Sequence, residues 1–167
     1  MKKLFSLLSL LMSLFFSCKK EDDLPEIYLE GVYENTRLSN VDPPRYLQVL
    51  VMTFSRSGNV LIENFVTPAD TEERCLSSYN EGTYSLRGEV FKMVLTSAFG
   101  PDPSIELSGD CFRKDQLISS KDPYYQEFTG SLVLGEINES FLLTYPCIDS
   151  MQVLSDCLGP ETYLKVR

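Results

Sequence analysis

Five cysteines, at positions 18, 75, 111, 147 and 157, are the residues of this 167-residue chain whose type and spacing carry the most chemistry. A thiol can be acylated, paired as a disulfide, or used as a soft-metal ligand. The metal and redox readings weaken at once, because no C-x-x-C occurs and there is no histidine to complete a ligand set. No cofactor or metal is therefore expected. Cys18 stands apart, at the end of an apolar run. That leaves Cys75, Cys111, Cys147 and Cys157, an even number that reads as two disulfides in an exported chain. Three connectivities exist for four cysteines. Cys147–Cys157 is favoured because Ile148–Leu158, broken by Asp149-Ser150 and Asp156, reads as one loop; Cys75–Cys111 then follows.

Catalytic chemistry finds little to work with. Without histidine there is no Ser-His-Asp or Cys-His arrangement. No S-x-x-K run follows Cys18, so a serine–lysine pair lacks its usual spacing. The adjacent carboxylates Asp22-Asp23 and Glu72-Glu73 point apart in extended backbone and make no acid/base couple. Asp102, Ser104, Glu106 and Asp110 offer oxygens, but not at the Asp-x-Asp-x-Asp-Gly spacing of a calcium loop. Tyr124-Tyr125 with Phe128 reads either as an exposed patch for a glycan or apolar partner, or as rings packed at a strand start, and packing is preferred. A formal charge of −9 excludes a nucleic-acid partner, which needs a basic face. The chain is not expected to be an enzyme.

The elements that must position Cys18 come first in the chain. Lys2 and Lys3 precede Leu4–Phe16, a run containing only Leu, Phe, Met and Ser. It is too short to cross a bilayer, which takes roughly 20 apolar residues. A charged start followed by a short apolar run is the design of a secretory signal. Leu14-Phe15-Phe16-Ser17-Cys18 resembles the lipobox of bacterial lipoproteins. The resemblance implies removal of residues 1–17, lipidation of Cys18 and attachment to a membrane through acyl chains. Lys19-Lys20-Glu21-Asp22-Asp23 reads as a solvated tether. A cysteine, lysine and then an acidic cluster also resembles the surface-export signal of Bacteroidota lipoproteins, which implies the outer face of the outer membrane. From Cys18 onward 13 basic side chains stand against 24 acidic ones, since residues 1–17 carry only Lys2 and Lys3. Residues 18–28 read as tether and 29–167 as one domain.

That domain reads as antiparallel strands. Runs rich in β-branched and aromatic residues cover Glu30–Leu38, Tyr46–Ser55, Val60–Val66, Ser78–Leu86, Val90–Ser97, Gln126–Leu134, Ser140–Tyr145 and Glu161–Val166. Turn signals separate them: Asp42-Pro43-Pro44, Arg56-Ser57-Gly58-Asn59, a polar loop over 67–77, Arg87-Gly88 and Gly135–Asn138. Ala98–Asp122 reads as irregular, with Ile105–Phe112 partly ordered. No helix of ten residues or more is expected after Cys18. About eight sequential strands favour an all-β, eight-stranded antiparallel up-and-down barrel, because closure removes exposed edges. A two-sheet β-sandwich has the same strand spacing and stays open as the alternative.

Gly31-x-Tyr33, Phe54-x-x-x-Gly58-x-Val60, Gly82-Thr83-Tyr84-Ser85-Leu86 and Tyr163-Leu164-Lys165-Val166-Arg167 together resemble the lipocalin-like domains of Bacteroidota lipoproteins. Tyr33 stands where that family has tryptophan. The resemblance implies a calycin-type barrel in which Lys165 or Arg167 packs over Tyr33; otherwise both are simply polar C-terminal residues. It also implies a small hydrophobic ligand in a pocket lined by inward residues of Tyr46–Ser55, Val60–Val66 and Val90–Ser97. The competing expectation is a filled barrel that acts as a structural or protein-interaction lipoprotein.

Overall fold

The computed structural model describes residues 24–38, 46–68, 73–102, 111–120, 123–146 and 159–167. Among the described residues nine strands follow one another: β1 Gly31–Leu38, β2 Tyr46–Phe54, β3 Asn59–Pro68, β4 Cys75–Arg87, β5 Val90–Gly100, β6 Ile118–Ser119, β7 Gln126–Leu134, β8 Ser140–Thr144 and β9 Glu161–Lys165. Every pairing is antiparallel, running β1-β2-β3-β4-β5-β7-β8-β9, with β9 returning to β1. The sheet is thus a closed eight-stranded up-and-down barrel, and the sandwich alternative falls. The extra strand β6 pairs with the far end of β5, through Phe99 and Gly100, where β7 has already left it.

The strand expectations differ from the structure mainly in their ends. β3 runs on to Pro68 and β4 begins at Cys75, so the expected loop over 67–77 is shorter. A register shift after Asn64 lets Phe65 and Val66 pair with Leu76 and Cys75. β5 extends through Gly100, aided on its outer face by Phe99 stacking on Tyr79 at 4.3 Å. Within the stretch read as irregular lie β6 and a 3-10 turn, Lys114–Gln116. Both are too short to leave a periodic signal in sequence. The segment read as the end of a tether lies on the barrel instead. The Ile27 amide donates to the Leu86 carbonyl at 2.7 Å, Ile27 packs on the core, and Leu29 is buried.

One end of the barrel is plugged by rings. Alternate residues point inward along each strand, which brings Tyr33, Phe54, Tyr84, Phe91, Phe141 and Tyr163 into one apolar cluster. Tyr33 meets Phe141 at 4.9 Å, Phe54 meets Tyr84 at 4.8 Å, and Phe141 stacks on Tyr163 at 4.7 Å. The buried hydroxyls find carbonyls at the barrel's edge, as buried phenols must. Tyr33 donates to Asn138 O at 3.1 Å, and the Tyr84 hydroxyl lies 2.8 Å from Leu29 O. Gly31 enters β1 at φ +128°, a conformation side chains avoid. A Cβ there would sit 2.7 Å from both Arg167 O and Lys165 Cε. That close approach seats Lys165, whose Nζ lies 5.8 Å from the Tyr33 ring centroid. Of the two cations weighed over Tyr33, against the preferred reading that both are plain polar C-terminal residues, Lys165 makes the contact, while Arg167 accepts from the Val32 amide through its carbonyl. Gly58, at φ +79°, closes the β2–β3 turn as its sequence predicts.

Candidate functional site: the mouth of the barrel

At the other end the same alternation turns polar. Cross-strand register sets Asn35, Leu50, Asn64 and Ser78 side by side around the wall. The next row outward contains Arg37, Gln48 and Val66. The row below, Tyr33, Met52, Ile62, Asn80 and Ala98, carries the transition to the apolar plug. Hydrophobic residues occupy the inward positions deep in the barrel, whereas near the opening amides, a hydroxyl and a guanidinium stand among Leu50 and Val66.

Two cavities occupy this mouth. One, of about 530 Å³, is lined by Ser78, Asn80, Ala98, Phe99, Gly100 and Ile118 among others. The other, of about 380 Å³, lies against Arg37, Gln48, Leu50, Asn64, Val66 and Ser78. Ser78 lines both, so they belong to one mouth. Asn64 Nδ2 donates to Ser78 Oγ at 3.1 Å, and Ser77 Oγ donates to Asn64 O at 3.0 Å, which holds this wall in place. Gln48 and Asn80 make no side-chain hydrogen bond among the described residues, so their amides are available to a ligand.

A charged chain crosses the β1–β9 side. Arg37 Nη1 donates to Glu161 Oε1 at 2.9 Å, and the Tyr163 hydroxyl donates to Glu161 Oε2 at 3.0 Å. Burial, and then the Glu161 carboxylate, push the Tyr163 phenol far above its ordinary value. The same two causes raise Tyr145 to about 12. Both phenols stay neutral at physiological pH, and Tyr163 donates to Glu161. Asn35 Nδ2 donates to Thr162 O at 2.8 Å and ties β1 to β9 below this chain.

Of the strands expected to line a pocket, β2, β3 and the end of β5 border the two cavities. β2 and β3 supply Gln48, Leu50, Asn64 and Val66. β5 contributes only beyond Ser97, because its inward residues Phe91, Met93 and Leu95 fill the plug. β4 supplies Ser78 and Asn80, which sequence reading did not single out. A small polar residue at an inward position looks like any outward one until the barrel closes.

Of the cysteines, Cys75 and Cys111 are joined as a disulfide. Cys18, Cys147 and Cys157 lie outside the described residues. The Cys75–Cys111 bridge fastens residues 111–120 to the outer wall. There the Phe112 amide donates to Leu76 O at 2.9 Å, Lys114 pairs with Glu63 at 2.7 Å, and Leu117 is buried. Beside it Arg74 grips Glu34 through two bonds of 2.7 and 2.8 Å. Tyr124 and Phe128 pack against the core, whereas Tyr125 is exposed. Among the residues weighed for calcium, Asp102 borders the larger cavity, and Ser104, Glu106 and Asp110 lie outside the described residues. Glu73 is exposed; Asp22, Asp23 and Glu72 are likewise outside. No family model matches the chain, nor does any curated protein or solved structure.

Proposed function

We propose that this chain is a lipid-anchored, extracytoplasmic binding protein of lipocalin-like type, attached to the outer membrane through Cys18 and holding a small ligand in the mouth of its barrel. The observation that carries the reading is the division of the interior: rings fill one half, while space of about 530 Å³ and 380 Å³ under a polar rim remains in the other. Ligand sites are concave, mainly apolar and equipped with a few convergent polar groups. Ala98 and Ile118 suit the apolar part of such a ligand, and Gln48, Asn64 and Arg37 suit a polar head. The ligand class is thus amphipathic rather than purely hydrophobic. The protein binds it and does not transform it.

Native mass spectrometry of protein extracted from its own membranes tests both halves. The expected result is a diacylglyceryl-modified Cys18 at the mature terminus and a bound small molecule that leaves on unfolding. An unmodified thiol at position 18 would overturn the anchor. An empty barrel in protein never exposed to detergent exchange would overturn the ligand. The solid plug favours the second reading, an interaction lipoprotein, and an empty barrel on an anchored chain is the outcome that selects it.

A further inference from the structure

We propose that the closed, ring-filled end of the barrel rests on the lipid surface, with Ile137 and Tyr28 in the interfacial layer and the mouth turned to the aqueous side. The inference deepens the functional reading above and rests on lipidation of Cys18.

Three observations converge on that end. The first is Ile137, 89% exposed at the tip of the β7–β8 turn and held at φ +56°. A β-branched residue in the left-handed region is an outlier that glycine or asparagine would relieve. The turn needs its shape, because Tyr33 bonds Asn138 O and the Lys165 amide donates to Glu139 O at 2.8 Å. Nothing in that shape needs an isoleucine. Strain kept beneath an exposed apolar side chain points to a contact made outside the fold. Leu164 and Val166, beside the turn on β9 and its end, are exposed too.

The second is chain length. Leu24 lies against Gly88, and Glu26 bridges to Arg87, so the described chain starts at the closed end. Six residue steps separate it from Cys18, which span at most about 20 Å when fully extended. An anchor at Cys18 therefore holds this end, and not the mouth, near the bilayer. Tyr28, 55% exposed on the same segment, is a residue type enriched at membrane interfaces.

The third is charge. From Cys18 onward the chain is strongly acidic. In the turns and strand ends of the closed end, Glu26, Glu30, Glu89, Glu136 and Glu139 stand against Arg56, Arg87, Lys165 and Arg167, close to balance. Anionic headgroups repel so nearly balanced an end only weakly. The membrane contact then leaves the mouth open to water, so its ligand arrives from solution and not laterally from the bilayer.

The chain has no tryptophan, so one can be introduced as a unique fluorophore. Full-length lipidated Ile137→Trp and Ser119→Trp proteins, the second marking the mouth side, are reconstituted into phosphatidylethanolamine–phosphatidylglycerol vesicles carrying brominated acyl chains. The expected result is severalfold stronger quenching at position 137 than at 119. Hydrogen exchange of the unsubstituted protein on the same vesicles is expected to slow at 135–139 relative to an unlipidated chain in solution. Protein that floats with vesicles but shows equal or reversed quenching, with no slowing at 135–139, overturns the contact and leaves the anchor standing. Protein that does not float, with a bare Cys18 by mass, overturns the anchor and this inference with it.

Discussion

At the scale of single residues, the polar atoms of the interior divide into those that hold the barrel and those left for a ligand. Tyr33, Tyr84 and Tyr163 belong to the first group, each donating to a carbonyl or carboxylate: Asn138 O, Leu29 O and Glu161 Oε2. Tyr145 carries the clearest pH signature. Its folded pKa of about 12 stands above the ordinary 10.0 because burial and Glu161 disfavour the phenolate. A raised folded value means the neutral phenol's contribution is complete below pH 10 and is lost as pH climbs toward 12. An alkaline titration followed by phenolate absorbance and by unfolding should show stability falling through that window, and Tyr145→Phe should flatten the fall. Ile137 is the opposite case, a residue at odds with its backbone. Ile137→Gly is expected to raise stability by about 1 kcal/mol by releasing left-handed strain. A urea midpoint that stays put or drops would show the turn to be relaxed with isoleucine in place.

Among elements, the strands were largely readable because each obeys a period of two with aromatic or β-branched residues at its inward sites. Gln126–Leu134 is recovered to the residue, and β2 to within one. The additions that escaped are the ones made by contacts between elements. β5 gains its last turn of the wall from the Tyr79–Phe99 stack and from β6, a two-residue strand with no pattern of its own. Residues 111–120 lie on the outer wall because a disulfide and the Lys114–Glu63 pair hold them there. The exposed ion pair adds little by itself, whereas a bridge spanning 36 residues contributes about 3–4 kcal/mol in the chain-entropy view. The Cys75→Ser, Cys111→Ser double variant is therefore expected to unfold at clearly lower denaturant. Its Phe112 amide, bonded to Leu76 O in the intact protein, should exchange faster than amides of the plug. Equal exchange at both places would show that the segment needs no bridge.

For the whole molecule, closure is what makes a function arguable. An open sheet with these residues would put Gln48, Asn64 and Ser78 on a solvated face like many others. Joining β1 to β9 and β4 to β5 turns that face inward and aims the three at shared space. Ser78 lines both cavities, so Ser78→Trp is expected to abolish retention of a co-purified ligand while costing about 1 kcal/mol for the lost Asn64–Ser78 hydrogen bond, because the ring enters space and not packed core. Native mass spectra of the two proteins check this; an unchanged bound mass would place the ligand elsewhere. By itself the amino-acid sequence determined the all-β class, the number and order of the main strands, the glycine turn at Gly58 and the two cations available to Tyr33, because each is local or periodic. Barrel against sandwich, Lys165 against Arg167, and the split between a ring-filled half and a polar mouth were decided only in three dimensions. Those outcomes depend on which strands meet across more than a hundred residues of chain, as Tyr33 meets Lys165, and no local pattern encodes that meeting.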